Sequence, residues 1–255
     1  MALQTKELKN LQDILAEPVG PDCCDVPLFH GTRAYALQVA EADRKRFHTA
    51  CDKVMTFAKS IFWTCPVNDD ALLEYQRSEN SLFMSSVVYQ YKTAKYDYGA
   101  FYLTSGYPNA FIFANFAGGE LGEFAYGQCR GFRHFNIDLE PEVAAAATVV
   151  EAEYEKYANS EKLILVYRGV RYRDMATESG FPFLKADGTL DAFLIEDMED
   201  IICKDGWEYA PNYRLANPEG YTGWIIRQKD FKTGLSVFTQ IRDVEKYIRW
   251  NHLKL

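Results

Sequence analysis

The stretch "PLFHGTRAYA", residues 27–36, sets one histidine, His30, between an apolar run and a Gly-Thr pair. A neutral imidazole carries one donor and one acceptor, so at a strand end it can fix a ligand hydroxyl or amide. Gly31 has no side chain to keep a ligand off the backbone, and Thr32 adds a hydroxyl to the same edge. The competing reading of His30 is a hydrogen-bonded core residue, because imidazole tolerates burial once both nitrogens are paired. A second stretch, "YDYGAFYLTSGYPNAFIFA" over 96–114, reads as a turn, a strand and a helix. Strand alternation puts Phe101 and Leu103 on one face and Tyr102 and Thr104 on the other. Tyr102, between the flexible Gly99 and Gly106, is an aromatic plate that could stack on a planar ring; packing within a strand is the competing reading.

Other chemistries are excluded by what is missing. Cys23, Cys24, Cys51, Cys65, Cys129 and Cys203 form no CxxC pair, and His30, His48, His134 and His252 show no HxxxH spacing, so no zinc or other metal site is expected. Reduced thiols, mostly buried, are the expectation for the cysteines. "GGELGEF" is not GxGxxG, and no Rossmann phosphate loop is found. A net charge of −8 disfavours polyanionic partners, nucleic acid among them. Apolar runs end well short of a bilayer span, and residues 1–20 have no apolar leader region, so a cytoplasmic, membrane-free protein is expected.

The elements that must hold His30 and Tyr102 follow from periodicity. Residues 5–15 carry Leu8, Leu11, Ile14 and Leu15 at helical spacing, and 17–27 stop that helix with Pro and Gly. "PLFHGT" reads as a strand and turn feeding a long amphipathic helix with Leu37, Ala40, Phe47, Cys51, Val54, Ala58 and Ile61 on its stripe. A short helix is expected at 69–78 and a strand at 80–91. The glycine-rich 118–132 reads as loop or bulged strand, 141–158 as helix, 162–170 as a buried strand and 172–193 as largely irregular. Strands are expected at 220–228 and 234–240, before a last helix at 242–250. With no repeat or linker, the chain reads as one α+β domain over 1–255, with an N-terminal helical segment and a helical insertion over 34–80.

In order and content, "LFHGT" and "GAFYLTSGYPNAFIFANFA" resemble the motifs of the ADP-ribosyltransferase superfamily, whose members use NAD as a donor of ADP-ribose. The resemblance implies a split β-sheet core with flanking helices. It implies that NAD is consumed as a substrate, that His30 holds the nicotinamide-side ribose and that the Gly31 backbone binds the carboxamide. It further implies that Thr32 lies beside them, that Tyr102 stacks on nicotinamide and that Thr104 and Ser105 line the pocket. Family members often carry a Glu at the start of a late strand; here that position falls near Thr233 to Ser236, where no acid stands. Glu219, Asp230 and Gln240 are the nearest substitutes, with Glu219 taken as the catalytic candidate. Arg33 or Arg77 could meet the pyrophosphate. The function implied is transfer of ADP-ribose to a macromolecular target, as in a toxin or defence factor, with an antitoxin or regulatory partner left open; the acidic surface favours protein over nucleic acid as that target. A catalytically degenerate NAD or ADP-ribose binder and a protein-interaction module are the alternatives. Target recognition is expected in the segment between His30 and Tyr102 and in 172–192, since loops on a rigid scaffold carry specificity.

Overall fold

The computed structural model describes residues 3–64, 100–204 and 211–238. They fall into two compact units, one drawn from Met1–Thr32, Ala100–Asn115 and Glu161–Leu255, the other from Arg33–Gly99 and Phe116–Ser160. Beside the span in which an insertion over 34–80 is expected, the second unit takes 116–160, which lies beyond Tyr102 in sequence.

The first unit is a seven-stranded mixed sheet with helices, an α+β arrangement. Its strands are β1 (Gln4–Glu7), β3 (Leu28–Arg33), β4 (Phe101–Thr104), β5 (Lys162–Tyr167), β7 (Met175–Thr177), β8 (Asn212–Leu215) and β9 (Thr222–Arg227). They stand in the order β1-β9-β5-β3-β4-β8-β7. A two-residue strand β2 (Cys23–Cys24) pairs with β6 (Val170–Arg171) outside it. The run "LILVY" in β5 is buried on both faces, as its unbroken apolar character requires of a central strand. β1, "QTKE", is exposed throughout and lies at one edge, where its charges discourage pairing with another chain.

Alternation gives this sheet one face bearing Phe29, Ile164, Val166, Trp224 and Ile226. That face packs against Ile14 of α1 (Leu11–Leu15), against Tyr107, Ala110 and Ala114 of α4 (Tyr107–Asn115), and against Phe231 and Phe238 of α8, residues 231–238. The start of the expected 234–240 strand is thus helical. Phe231, Gly234 and Phe238 are buried at helical spacing while Leu235 is exposed, so a period of 3.6 overrides the apolar content that suggested a strand. The expected 5–15 helix is likewise shortened, because Asn10 begins a new helix as a capping box with Asp13: Asn10 Oδ1 accepts from Asp13 N–H at 3.1 Å, and Asp13 Oδ2 accepts from Asn10 N–H at 3.1 Å.

The second unit is helical. A short α2 (Ala34–Gln38) ends at Val39, whose extended backbone separates it from α3 (Glu41–Thr64). The stripe Phe47, Cys51, Val54 and Ala58 of α3 is buried against α5 (Gly119–His134) and α6 (Pro141–Ala158). α5 corrects the loop expected at 118–132. Leu121, Phe124, Ala125, Gln128, Cys129 and Phe132 form a buried helical stripe, and Gly122 is small because Phe47 packs where its side chain would stand. Among the described residues, no helix is long and apolar enough to cross a membrane. Cys23, Cys24, Cys51 and Cys129 are free thiols. A further helix, α7 (Ala192–Lys204), closes the segment that reads as irregular. The short helix at 69–78, the strand at 80–91, the helix at 242–250, Arg77 and Gln240 lie outside the described residues.

Candidate functional site

β3 and β4 are adjacent and antiparallel, so His30 and Tyr102 stand on neighbouring strands. Their register is a single pair, Phe29 opposite Thr104, whereas β4 and β8 pair at four positions. Continued antiparallel pairing would bring Gly31 opposite Tyr102. The ladder stops before it. Instead His30 Nδ1 lies 2.7 Å from the Tyr102 carbonyl oxygen. A carbonyl can only accept, so Nδ1–H donates and Nε2 is left as the acceptor of a neutral ring. Burial holds this imidazole neutral, lowering its pKa to about 4 against the opposing pull of the bond to Tyr102. His30 as a residue is half-buried.

Phe101 is the aromatic partner of His30, stacked at 4.0 Å with 24° between planes. The edge of Phe101 meets Tyr167 at 5.9 Å, and the buried Tyr167 hydroxyl has no hydrogen-bond partner among the described residues. Strand alternation then sends the Tyr102 side chain to the opposite face, where the Arg214 guanidinium carbon lies 5.8 Å from its ring. The expectation that imidazole and phenol face one cleft is corrected: His30 meets Tyr102 through the backbone and Phe101 through its ring.

Gly31 also serves differently from expectation on its bare side. A Cβ built there would lie 1.9 Å from the Ala110 carbonyl oxygen and 2.5 Å from Ala114 N, so α4 fills the space reserved for a ligand. Thr32 is half-buried on β3. Thr104 Oγ1 accepts from Gly106 N–H at 3.2 Å and so shapes the turn into α4, while Ser105 is fully buried with a hydroxyl that has no partner among the described residues.

The acid and arginine candidates fall elsewhere. Glu219 lies in a turn before β9, and β9 is two strands from β3 and three from β4. Asp230 is exposed in the turn after β9, and Thr233 to Ser236 lie within α8 rather than at a strand start. Arg33 is buried in the second unit, where Nη1 donates to the carbonyls of Ala158 and Ser160 at 3.3 and 3.1 Å, capping the end of α6.

Residues that the motifs did not single out complete the Tyr102 side. Asn212 and Arg214 stand opposite Thr104 and Tyr102 across the β4–β8 ladder. Asn212 Nδ2 donates to Glu178 Oε1 at 3.3 Å, and Arg214 Nε donates to the Glu178 carbonyl at 3.0 Å. No short-range spacing signals this grouping, because it depends on β8 pairing with β4. A separate cavity of about 620 Å³, lined by Asp22, Cys23, Asp25, Arg168 and Tyr172 among others, contains neither His30 nor Tyr102. Among the described residues, no group of three or more His, Cys, Asp or Glu is placed to hold a metal ion. The chain matches no family model, no curated protein and no solved structure.

Proposed function

We propose that the first unit binds NAD across the interrupted β3–β4 edge and transfers its ADP-ribose to a macromolecular acceptor. The reading rests on the motif resemblance of β3 and β4. The structural observation that carries it furthest is the His30 Nδ1–H bond to the Tyr102 carbonyl, which fixes a neutral imidazole with Nε2 free of a proton where the ladder ends. In that state Nε2 accepts from a ribose hydroxyl, and the Gly31 main chain, left one pair beyond the register, hydrogen-bonds the carboxamide. Thr32 and the Phe101 ring bound the His30 side of this edge, and the Tyr102 ring bounds the other.

Cleavage of the nicotinamide–ribose bond develops positive charge on the sugar, so the site must hold the ribose and the leaving ring in fixed relation. A ring that stays neutral below pH 5 suits that task, because it adds no charge against the developing cation. The net charge of −8 favours a protein acceptor over nucleic acid. A binder without turnover is the second reading, and the distance of Glu219 from β4 favours it. Incubation with NAD separates the two: turnover releases nicotinamide, and binding alone shifts thermal stability without release. Loss of both in a folded protein would refute both.

A further inference from the structure

We infer that the cavity walled by β2, the flanks of β6 and the start of α7 binds a small organic zwitterion, an apolar α-amino acid or a dipeptide of such residues. The cavity lies wholly within the first unit, and its volume of about 620 Å³ suits a ligand of that size. One wall is set by the pairing of β2 with β6, Cys23 opposite Arg171 and Cys24 opposite Val170. Beyond that short ladder, Gly169 N–H donates to the Cys24 carbonyl at 3.1 Å and Tyr172 N–H to the Asp22 carbonyl at 3.0 Å. Gly169 turns the chain out of β5 at a φ of 68°, and Arg168 and Tyr172, on either side of it, line the cavity. The second wall begins at Asp191, whose Oδ1 accepts from Phe193 and Leu194 N–H at 3.1 and 3.3 Å and caps α7. Leu190 and Ile195 flank that cap and line the cavity. Phe183 joins the two walls: its carbonyl accepts from Asp191 N–H at 2.7 Å, and its ring stacks on the buried Tyr172 at 5.9 Å. Main-chain hydrogen bonds and a buried ring pair therefore fix the shape of the cavity before a ligand arrives.

The lining carries both signs of charge, the Arg168 guanidinium and the Asp22 and Asp25 carboxylates. A simple anion drawn to Arg168 meets two carboxylates, and a simple cation drawn to those meets the guanidinium. A zwitterion matches both signs at once. Its carboxylate pairs with Arg168 and its ammonium with Asp22, which is exposed and whose main chain is fixed by Tyr172. Val19, Leu190 and Ile195 supply apolar surface for the body of the ligand. Cys23 lines the same cavity as a half-buried free thiol, so a seated ligand obstructs the approach to its sulfur.

The test uses the full chain with L-phenylalanine and leucyl-phenylalanine as probes. Alkylation of Cys23 by iodoacetamide is followed by peptide mass spectrometry, beside calorimetry and thermal unfolding. The expected result is alkylation of Cys23 slowed about 10-fold or more at saturation, and the probe acting at the lower concentration identifies the source as free amino acid or peptide. Phenylpropionate, without the ammonium, and phenethylamine, without the carboxylate, should bind about 10-fold more weakly than L-phenylalanine. Asp22→Asn and Arg168→Gln should weaken binding of the probes by a similar factor. Asp22→Asn keeps the backbone bond to Tyr172 and so stays folded, which leaves the test readable whatever Arg168→Gln does to stability. Neither protection of Cys23 nor a thermal shift with either probe up to about 10 mM overturns the inference, as does binding by Asp22→Asn or by the singly charged analogues at full strength. Neither His30 nor Tyr102 lines this cavity, so either outcome leaves the NAD reading to its own test.

Discussion

Replacing Gly31 by Ala tests what its missing side chain is for. The added Cβ would stand 1.9 Å from the Ala110 carbonyl oxygen and 2.5 Å from Ala114 N, and neither is the end of a flexible side chain. Relief requires α4 to retreat from β3 by roughly 1 Å, because real Cβ contacts under 3.0 Å are essentially never seen. β3 cannot yield instead, since β5 and β4 flank it in the sheet. The retreat loosens Tyr107, Ala110 and Ala114 from Phe29 and Ile164 in the core of the first unit. Overpacking commonly costs 1–3 kcal/mol, and a clash between two backbones belongs at the top of that range, so about 3 kcal/mol is expected. For a protein of this size that lowers the melting temperature by about 6–12 °C. Calorimetry or circular dichroism on Gly31→Ala reads the shift directly. A melting temperature within about 2 °C of the wild type would refute the packing role and return Gly31 to the reading in which only a ligand occupies its bare side.

Two further outcomes follow from buried ionisable groups. His30 titrates at about 4 when folded against 6.5 ordinarily, so between those pH values the unfolded chain binds a proton that the folded protein does not. Its contribution is full above pH 6.5 and is lost as pH falls towards 4, by up to about 3 kcal/mol and less to the extent that solvent reaches the ring. Urea unfolding at pH 7 and pH 4.5 should show this loss in the wild type and not in His30→Asn, whose amide can still donate to the Tyr102 carbonyl; equal losses would contradict it. In the second unit Glu153 is buried beneath Lys156 at 2.7 Å, Tyr35 at 3.1 Å and Arg46 at 3.4 Å. Burial alone would raise its pKa, but the hydrogen bonds from Lys156 and Tyr35 and the charges of Lys156 and Arg46 hold it below the ordinary carboxylate value. Glu153→Ala should cost about 2 kcal/mol at pH 7, and the difference from wild type should shrink as pH falls below 4; a difference independent of pH would show that the ionised form is not favoured.

The strands bearing the motifs were legible because their residues speak locally. "LFHGT" and "FYLT" open on apolar, β-prone residues, and "LILVY" has the unbroken apolar run of a buried strand. α6 was equally plain from its alanines and its Pro141 start. α5 was hidden by five glycines in 118–132, of which Gly118 and Gly122 give the Phe47 ring room to pack close to the backbone. The start of the 234–240 strand failed because Leu235 and Val237 suggest alternation, while the buried Phe231 and Phe238 obey helical spacing. At the site, the adjacency of His30 and Tyr102 could be read from the motifs, but not which ring meets which. That depends on a register of one pair and on alternation across β3 and β4. Glu178, Asn212 and Arg214 could not be found at all without the β4–β8–β7 pairing, which no local pattern encodes.

Nicotinamide release from NAD, followed by chromatography for the wild type, His30→Asn and His30→Ala, tests the central claim most directly. The account predicts release by the wild type and a loss of about 100-fold or more in both variants, with His30→Asn still folded because its amide keeps the bond to the Tyr102 carbonyl. No release by a folded wild-type protein, or release by His30→Asn at the wild-type rate, would contradict it.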